Sequence, residues 1–141
     1  MVIGYTQGVF DMFHEGHLNL LMNAKKQCDF LIVGVNADKL VESYKHKIPV
    51  INEDNRKYIV ENIKCVDLAV VVNTLDKLEI YQKMKFIKIF IVDDWKKSDR
   101  WLETQNVMKQ HNVEVVFLPY TKDISSTKLR IEKDNVVLEG N

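Results

Sequence analysis

The sequence holds only two cysteines, Cys28 and Cys65, and neither belongs to a CxxC pair. A disulfide framework is therefore excluded as the source of stability, and both are expected as free thiols in a reducing compartment. Net charge is missing as well. The 20 Lys and Arg residues balance 20 Asp and Glu, so no whole-chain field draws the protein to nucleic acid or to an anionic membrane. Any phosphate recognition has to come from local placement of charge. No apolar run approaches the roughly 20 residues of a membrane span. The opening MVIGYTQ lacks the basic and apolar regions of an export signal, so a soluble, cytoplasmic chain is expected. Repeats, low-complexity stretches and linkers are also absent, which predicts a single domain over residues 1–132 and a short polar tail over 133–141.

What the sequence does contain is alternation. Apolar residues form 46% of the 141, enough for one buried core without covalent help. Short β-branched runs at Val2–Gln7, Phe30–Asn36, Val66–Val72, Lys88–Asp93 and Glu114–Leu118 read as strands. Between them lie helical patterns near His17–Gln27, Glu53–Ile63, Asp76–Met84 and Arg100–Gln110, with a last helix expected from about Ser125. This order predicts an α/β, Rossmann-like fold: an open parallel five-stranded sheet with helices on both faces. Asp38–Ile51 reads as the one extended loop. Ligands of such sheets sit beyond the carboxyl ends of the strands, which nominates Gln7–His17, Asn36–Pro49, Asp93–Trp95 and Pro119–Thr127.

The first nominated segment contains GVFDMFHEGH, Gly8 to His17. Gly8 and Gly16 would let the backbone come close to a ligand. The free N–H groups and dipole of the following helix make an anion site, and His14 and His17 add imidazole donors. His17 shares a stripe with Leu20, Leu21, Ala24 and Cys28, which places it at the top of the buried face. A lone histidine there would read as a core residue bonded to backbone. A second one three residues earlier, beside glycines and after a strand, favours phosphate binding. The spacing does not fit the HExxH zinc motif, and neither a P-loop nor GxGxxG occurs.

Other candidates each have a plain structural alternative. Ser125, Ser126 and Thr127 can cap a helix or bind phosphate with its free N–H groups. Asp93 and Asp94 can serve as ligand-binding carboxylates beside Trp95, or form an acidic turn over a core indole. Lys45 and Lys47 can reach a phosphate or remain a solvated pair. If Asn52 caps the next helix, Arg56 stands in its first turns, where a cation opposes the dipole. It continues the stripe of Ile59, Val60 and Ile63 toward the sheet edge, and its alternative is an ion pair with Glu53 or Asp54. His46, Trp101 and His111 have no motif around them and read as packing or surface.

GVFDMFHEGH resembles the HxGH signature of the nucleotidyltransferase superfamily, and DDW at Asp93–Trp95 resembles its cytidylyltransferase branch. ISST at Ile124–Thr127 completes the pattern, in order, over about Met1 to Arg130. The likeness is greatest to the glycerol-3-phosphate cytidylyltransferases. It implies catalytic roles for His14, His17 and Lys45. It implies a CTP site of Gly8, Val9, Phe10, His14, Gly16, His17, Lys47, Asp93, Asp94, Trp95, Thr121, Ile124, Ser125, Ser126 and Thr127. The acceptor would meet Asp11, Lys45, Arg56 and Lys77. Mg²⁺ would arrive with CTP, contacted by Asp94 and lacking a dedicated protein site, and the protein would be a homodimer. The chain departs from the family where Tyr120, Thr121, Lys122 and Asp123 replace the usual Arg-Thr-x-Gly, and where Lys64 replaces a frequent Arg.

The reaction so implied moves CMP from CTP onto a small phosphorylated alcohol and releases pyrophosphate. A phosphate monoester is largely dianionic at pH 7 and needs no general base. Two alternatives stay open: an adenylyltransferase of the same superfamily, although Met12 stands where those usually have Pro, and a nucleotide-binding homologue of weakened catalysis, suggested by Tyr120 and Asp123.

Overall fold

The strands are the apolar runs, and they form because each has two faces to bury. A computed structural model of the chain describes residues 1–93 and 99–119. Its strands are β1 (Ile3–Gly8), β2 (Phe30–Asn36), β3 (Leu68–Val72), β4 (Lys88–Asp93) and β5 (Glu114–Pro119). All pair in parallel in the order β3-β2-β1-β4-β5. On β2 the residues Leu31, Val33 and Val35 face one core, where they meet Leu21 and Ala24 of α1 (Glu15–Lys25) and Val60 of α3 (Glu53–Glu61). Ile32 faces the other core, with Tyr5, Ile80 of α4 (Lys77–Met84) and Met108 of α5 (Asp99–Gln110). The near-continuous apolar run follows from burial on both faces. The expected α/β fold is the one observed.

Close packing between strands depends on glycine at one position in particular. A Cβ on Gly34 would lie 2.1 Å from Tyr5 Oη, so the bare backbone of β2 makes room for the tyrosine of β1. From β1 the sheet grows through β2 and β3 on one side and through β4 and β5 on the other. That divergence opens a crevice at the carboxyl end of β1, where Gly8 leads into the histidine motif.

The loop expected over Asp38–Ile51 is mostly helix. Residues Asp38–Lys45 form α2, and only His46 to Ile51 and its cap Asn52 separate it from α3. Leu40, Val41 and Tyr44 have helical spacing, and Val41 is buried, which supplies the stabilisation. Ala37 at the N-cap offers no side-chain oxygen, so the usual start signal is missing. His46 ends the helix in the left-handed region at φ 59°. Elsewhere the differences are small: α1 starts at Glu15 with His14 as its cap, and β3 starts at Leu68.

Among the described residues no helix is long and apolar enough to cross a membrane. Asp94, Trp95, Thr121, Ile124, Ser125, Ser126 and Thr127, the helix expected from Ser125 and the tail over 133–141 lie outside the described residues.

Candidate active site

His14, the cap of α1, has extended backbone, and its Nδ1 accepts the N–H of Gly16 at 3.0 Å. His17 Nδ1 in turn accepts the N–H of His14 at 3.1 Å, closing a reciprocal cap on α1. A backbone N–H can only donate, so both neutral rings carry their proton on Nε2. The rings stack with centroids 4.0 Å apart, so the two Nε2–H donors belong to adjacent rings. Burial lowers the pKa of His14 below its usual value. Burial, together with the neighbouring His14, lowers that of His17 to about 4, although Asp11 pulls the other way. At neutral pH the pair is therefore uncharged.

The segment between β1 and α1 is bent to hold these rings. Phe10 and Met12 both occupy the left-handed region, at φ 53° and 49°. Non-glycine residues there cost about 1–2 kcal/mol each, strain typical of a ligand clamp. The Phe10 ring is buried and lies edge-on to His17, with Phe13 on another side. A Cβ on Gly8 would meet the Phe10 ring at 3.2 Å, so this glycine makes room for an aromatic wall rather than only for a ligand.

Asp11, for which the resemblance implied an acceptor contact, is held by backbone N–H groups. Its Oδ2 accepts the N–H of Val50 at 2.8 Å and its Oδ1 that of Ile51 at 2.9 Å. The histidine segment thereby holds the far end of the lysine-bearing stretch. Lys45 sits in the last turn of α2 and Lys47 two residues later, both exposed. Among the described residues neither has an ion-pair partner.

Arg56 is fully buried, a position its sequence context did not reveal. Asn52 does cap α3, accepting the N–H of Asn55. The guanidinium partner, however, is neither Glu53 nor Asp54. Its Nη2 donates to Asp38 Oδ1 at 2.6 Å, and its Nε to the carbonyl of Ile51 at 2.8 Å. Nη1 donates to the carbonyls of Val9 at 2.7 Å and Asn36 at 2.8 Å. One side chain thus ties the ends of β1 and β2 to α2 and to the lysine-bearing stretch. Asp38 and Glu53 reinforce the join by accepting each other's backbone N–H.

Lys77 opens α4, with Nζ donating to the carbonyl of Leu75 at 3.1 Å. It borders a shallow cleft of about 200 Å³ between α4 and α5, with Asp76, Glu103 and Thr104, and none of His14, His17 or Lys45 lines that cleft. His46 is an exposed helix cap, and His111 lies against Tyr81. Gln7, Asn36, Asp38 and Tyr44 belong to the site's framework without a motif to announce them. The available signal was a polar residue at or near the carboxyl end of each of two otherwise apolar strands. Among the described residues no three His, Cys, Asp or Glu side chains group as a metal site.

Residues 5–132 match the model of a family described as cytidylyltransferase-like. The chain is 36% identical over 125 residues to an FAD synthase of Korarchaeum cryptofilum, covering 86% of this chain and 84% of that protein. It is 35% identical over 126 residues to a glycerol-3-phosphate cytidylyltransferase of Bacillus spizizenii, covering 89% and 92%. Among solved structures, a lipopolysaccharide core biosynthesis protein of Thermoplasma volcanium superposes with a TM-score of 0.73 at 27% identity, over 86% of this chain and 97% of that one.

Proposed function

The chain belongs to the cytidylyltransferase-like family, and from that premise we propose that it transfers CMP from CTP to a small phosphorylated alcohol. The observation that carries this reading is the stacked pair His14 and His17, whose Nδ1 atoms are both taken by backbone N–H groups. Two neutral Nε2–H donors at a helix N-terminus suit phosphate oxygens, and they bring no proton that chemistry must remove. Similarity to the glycerol-3-phosphate enzyme over most of both chains supports the acceptor class.

In this reaction an oxygen of the acceptor phosphate attacks the α-phosphorus of CTP. A new P–O bond forms as the bond to the bridging oxygen of pyrophosphate breaks, and its electron pair leaves with pyrophosphate. The acceptor is already an anion, so catalysis consists of alignment and stabilisation of moving charge. His14 and His17 donate to phosphate oxygens of the nucleotide. Lys45 holds the acceptor phosphate, and Lys47 faces CTP. Mg²⁺, for which the described residues form no site of their own, would be carried by the triphosphate and would supply charge neutralisation there.

A second reading is favoured by the FAD synthase relative, which covers 86% of the chain: ATP as the nucleotide and FAD as the product. Pyrophosphate release separates the two. The purified protein with Mg²⁺ is given CTP and a panel of phospho-alcohols, or ATP and FMN. Turnover with CTP supports the first reading, and turnover confined to ATP with FMN establishes the second in its place.

A further inference from the structure

A directed chain of hydrogen bonds crosses the carboxyl ends of β1 and β2. It starts in the core at Tyr5, fully buried and stacked on Phe86, whose hydroxyl donates to Gln7 Oε1 at 2.7 Å. That bond fixes the orientation of the Gln7 amide. Its Nε2 donates both to Asn36 Oδ1 at 2.8 Å and to the carbonyl of Thr74 at 2.9 Å. Asn36 is then oriented as well, and its Nδ2 donates to the Tyr44 hydroxyl at 3.0 Å. Every link donates in one direction, from core to rim.

Tyr44 is the end of that chain. Its oxygen accepts from Asn36, so its own O–H is left to donate, and it has no acceptor among the described residues. Its side chain is 37% exposed, on the turn of α2 that carries Lys45. Donors polarised in series strengthen one another in a low-dielectric setting. Two polar side chains committed at strand ends, Gln7 and Asn36, give the last hydroxyl a fixed place and a strengthened proton.

That place adjoins the carboxyl end of β2 and directly precedes Lys45 in the last turn of α2. Gln7 precedes Gly8 on β1, and the carbonyls of Asn36 and Val9 share one nitrogen of Arg56. Resting on the reading that the acceptor is a phosphorylated alcohol held by Lys45, we infer that Tyr44 is an acceptor-binding residue. Its O–H donates to an oxygen of the acceptor phosphate and, with Lys45, turns the attacking oxygen toward CTP.

The test is Tyr44→Phe in the full chain, with steady-state kinetics for each substrate and a thermal midpoint. A hydrogen bond to a charged group contributes enough that the acceptor KM should rise roughly 10- to 100-fold. The KM for CTP should not move, and the midpoint should fall only modestly, because Asn36 Nδ2 loses its acceptor. An unchanged acceptor KM overturns the inference, as does an equal rise in both KM values, which marks a merely structural role for the hydroxyl. Should the wild-type protein turn over no pair of CTP and phospho-alcohol, the underlying reading fails and this inference with it.

Discussion

The N–H of His14 bonds to the Nδ1 of His17, and this one contact sets what both rings can do. It caps α1, orients the second imidazole and leaves its proton on Nε2. The Gly16 N–H performs the same service for His14. The site is thus built before any nucleotide arrives.

Replacing either His14 or His17 by Ala should lower kcat by at least ~10²-fold, the usual loss when a donor to transition-state charge is removed. Single-turnover kinetics with the preferred substrate pair would show it. Near-normal turnover in both variants would remove the pair from the mechanism.

Acidification should destabilise the fold through the same residues. An unfolded histidine takes up its proton near pH 6.5, whereas folded His17 stays neutral until about pH 4. The unfolded state therefore binds more protons within that window, and the stability His17 contributes is complete above it and lost as pH falls through it. The lowered pKa of His14 acts in the same direction. Thermal midpoints from pH 7 to pH 4 should fall more steeply for the wild type than for His17→Asn, and equal slopes would contradict the assignment.

Arg56→Ala should weaken the whole fold rather than substrate binding alone. It removes a buried cation and leaves three carbonyls and Asp38 without its bonds. Breaking a buried pair in this way costs about 3–5 kcal/mol, readable as a lower midpoint in urea. A variant of wild-type stability with only a raised acceptor KM would instead support direct contact with the acceptor.

Asp11→Asn should loosen the lysine-bearing stretch without unfolding the protein. The amide keeps one oxygen acceptor and loses the other, so the Val50 and Ile51 N–H groups can no longer both be held. One lost bond to a charged group corresponds to roughly tenfold or more faster local amide exchange. Hydrogen exchange at those two positions is the measurement, and unchanged protection at both would show that the clamp is unimportant.

Gly34→Ala should disturb the core first and the site second. The new methyl would lie 2.1 Å from Tyr5 Oη, at the start of the hydrogen-bonded chain to Tyr44. Overpacking of this kind costs about 1–3 kcal/mol. A thermal melt equal to that of the wild type would mean that the strand accommodates a Cβ here.

The sequence by itself determined the order of the strands and of the helices other than α2, because burial on two faces leaves a periodic apolar pattern. It also marked the His14–His17 motif, because an anion site at a strand-to-helix junction needs glycine, histidine and a helix start within a few residues. Tertiary structure alone decided the rest. Helix α2 read as a loop because Ala37 gives no cap and its stability comes from burying Val41, which its own short pattern does not announce. Arg56 read as an acceptor-binding cation or a partner of Glu53 or Asp54 because Val9, Asn36, Asp38 and Ile51, which satisfy it, meet only when the sheet forms. Asp11 and Tyr44 are alike in this: their partners lie 39 and 40 residues away in one case and eight residues away, on another element, in the other. Local pattern encodes which face is buried, whereas hydrogen bonds between segments remote in sequence leave no periodicity to read.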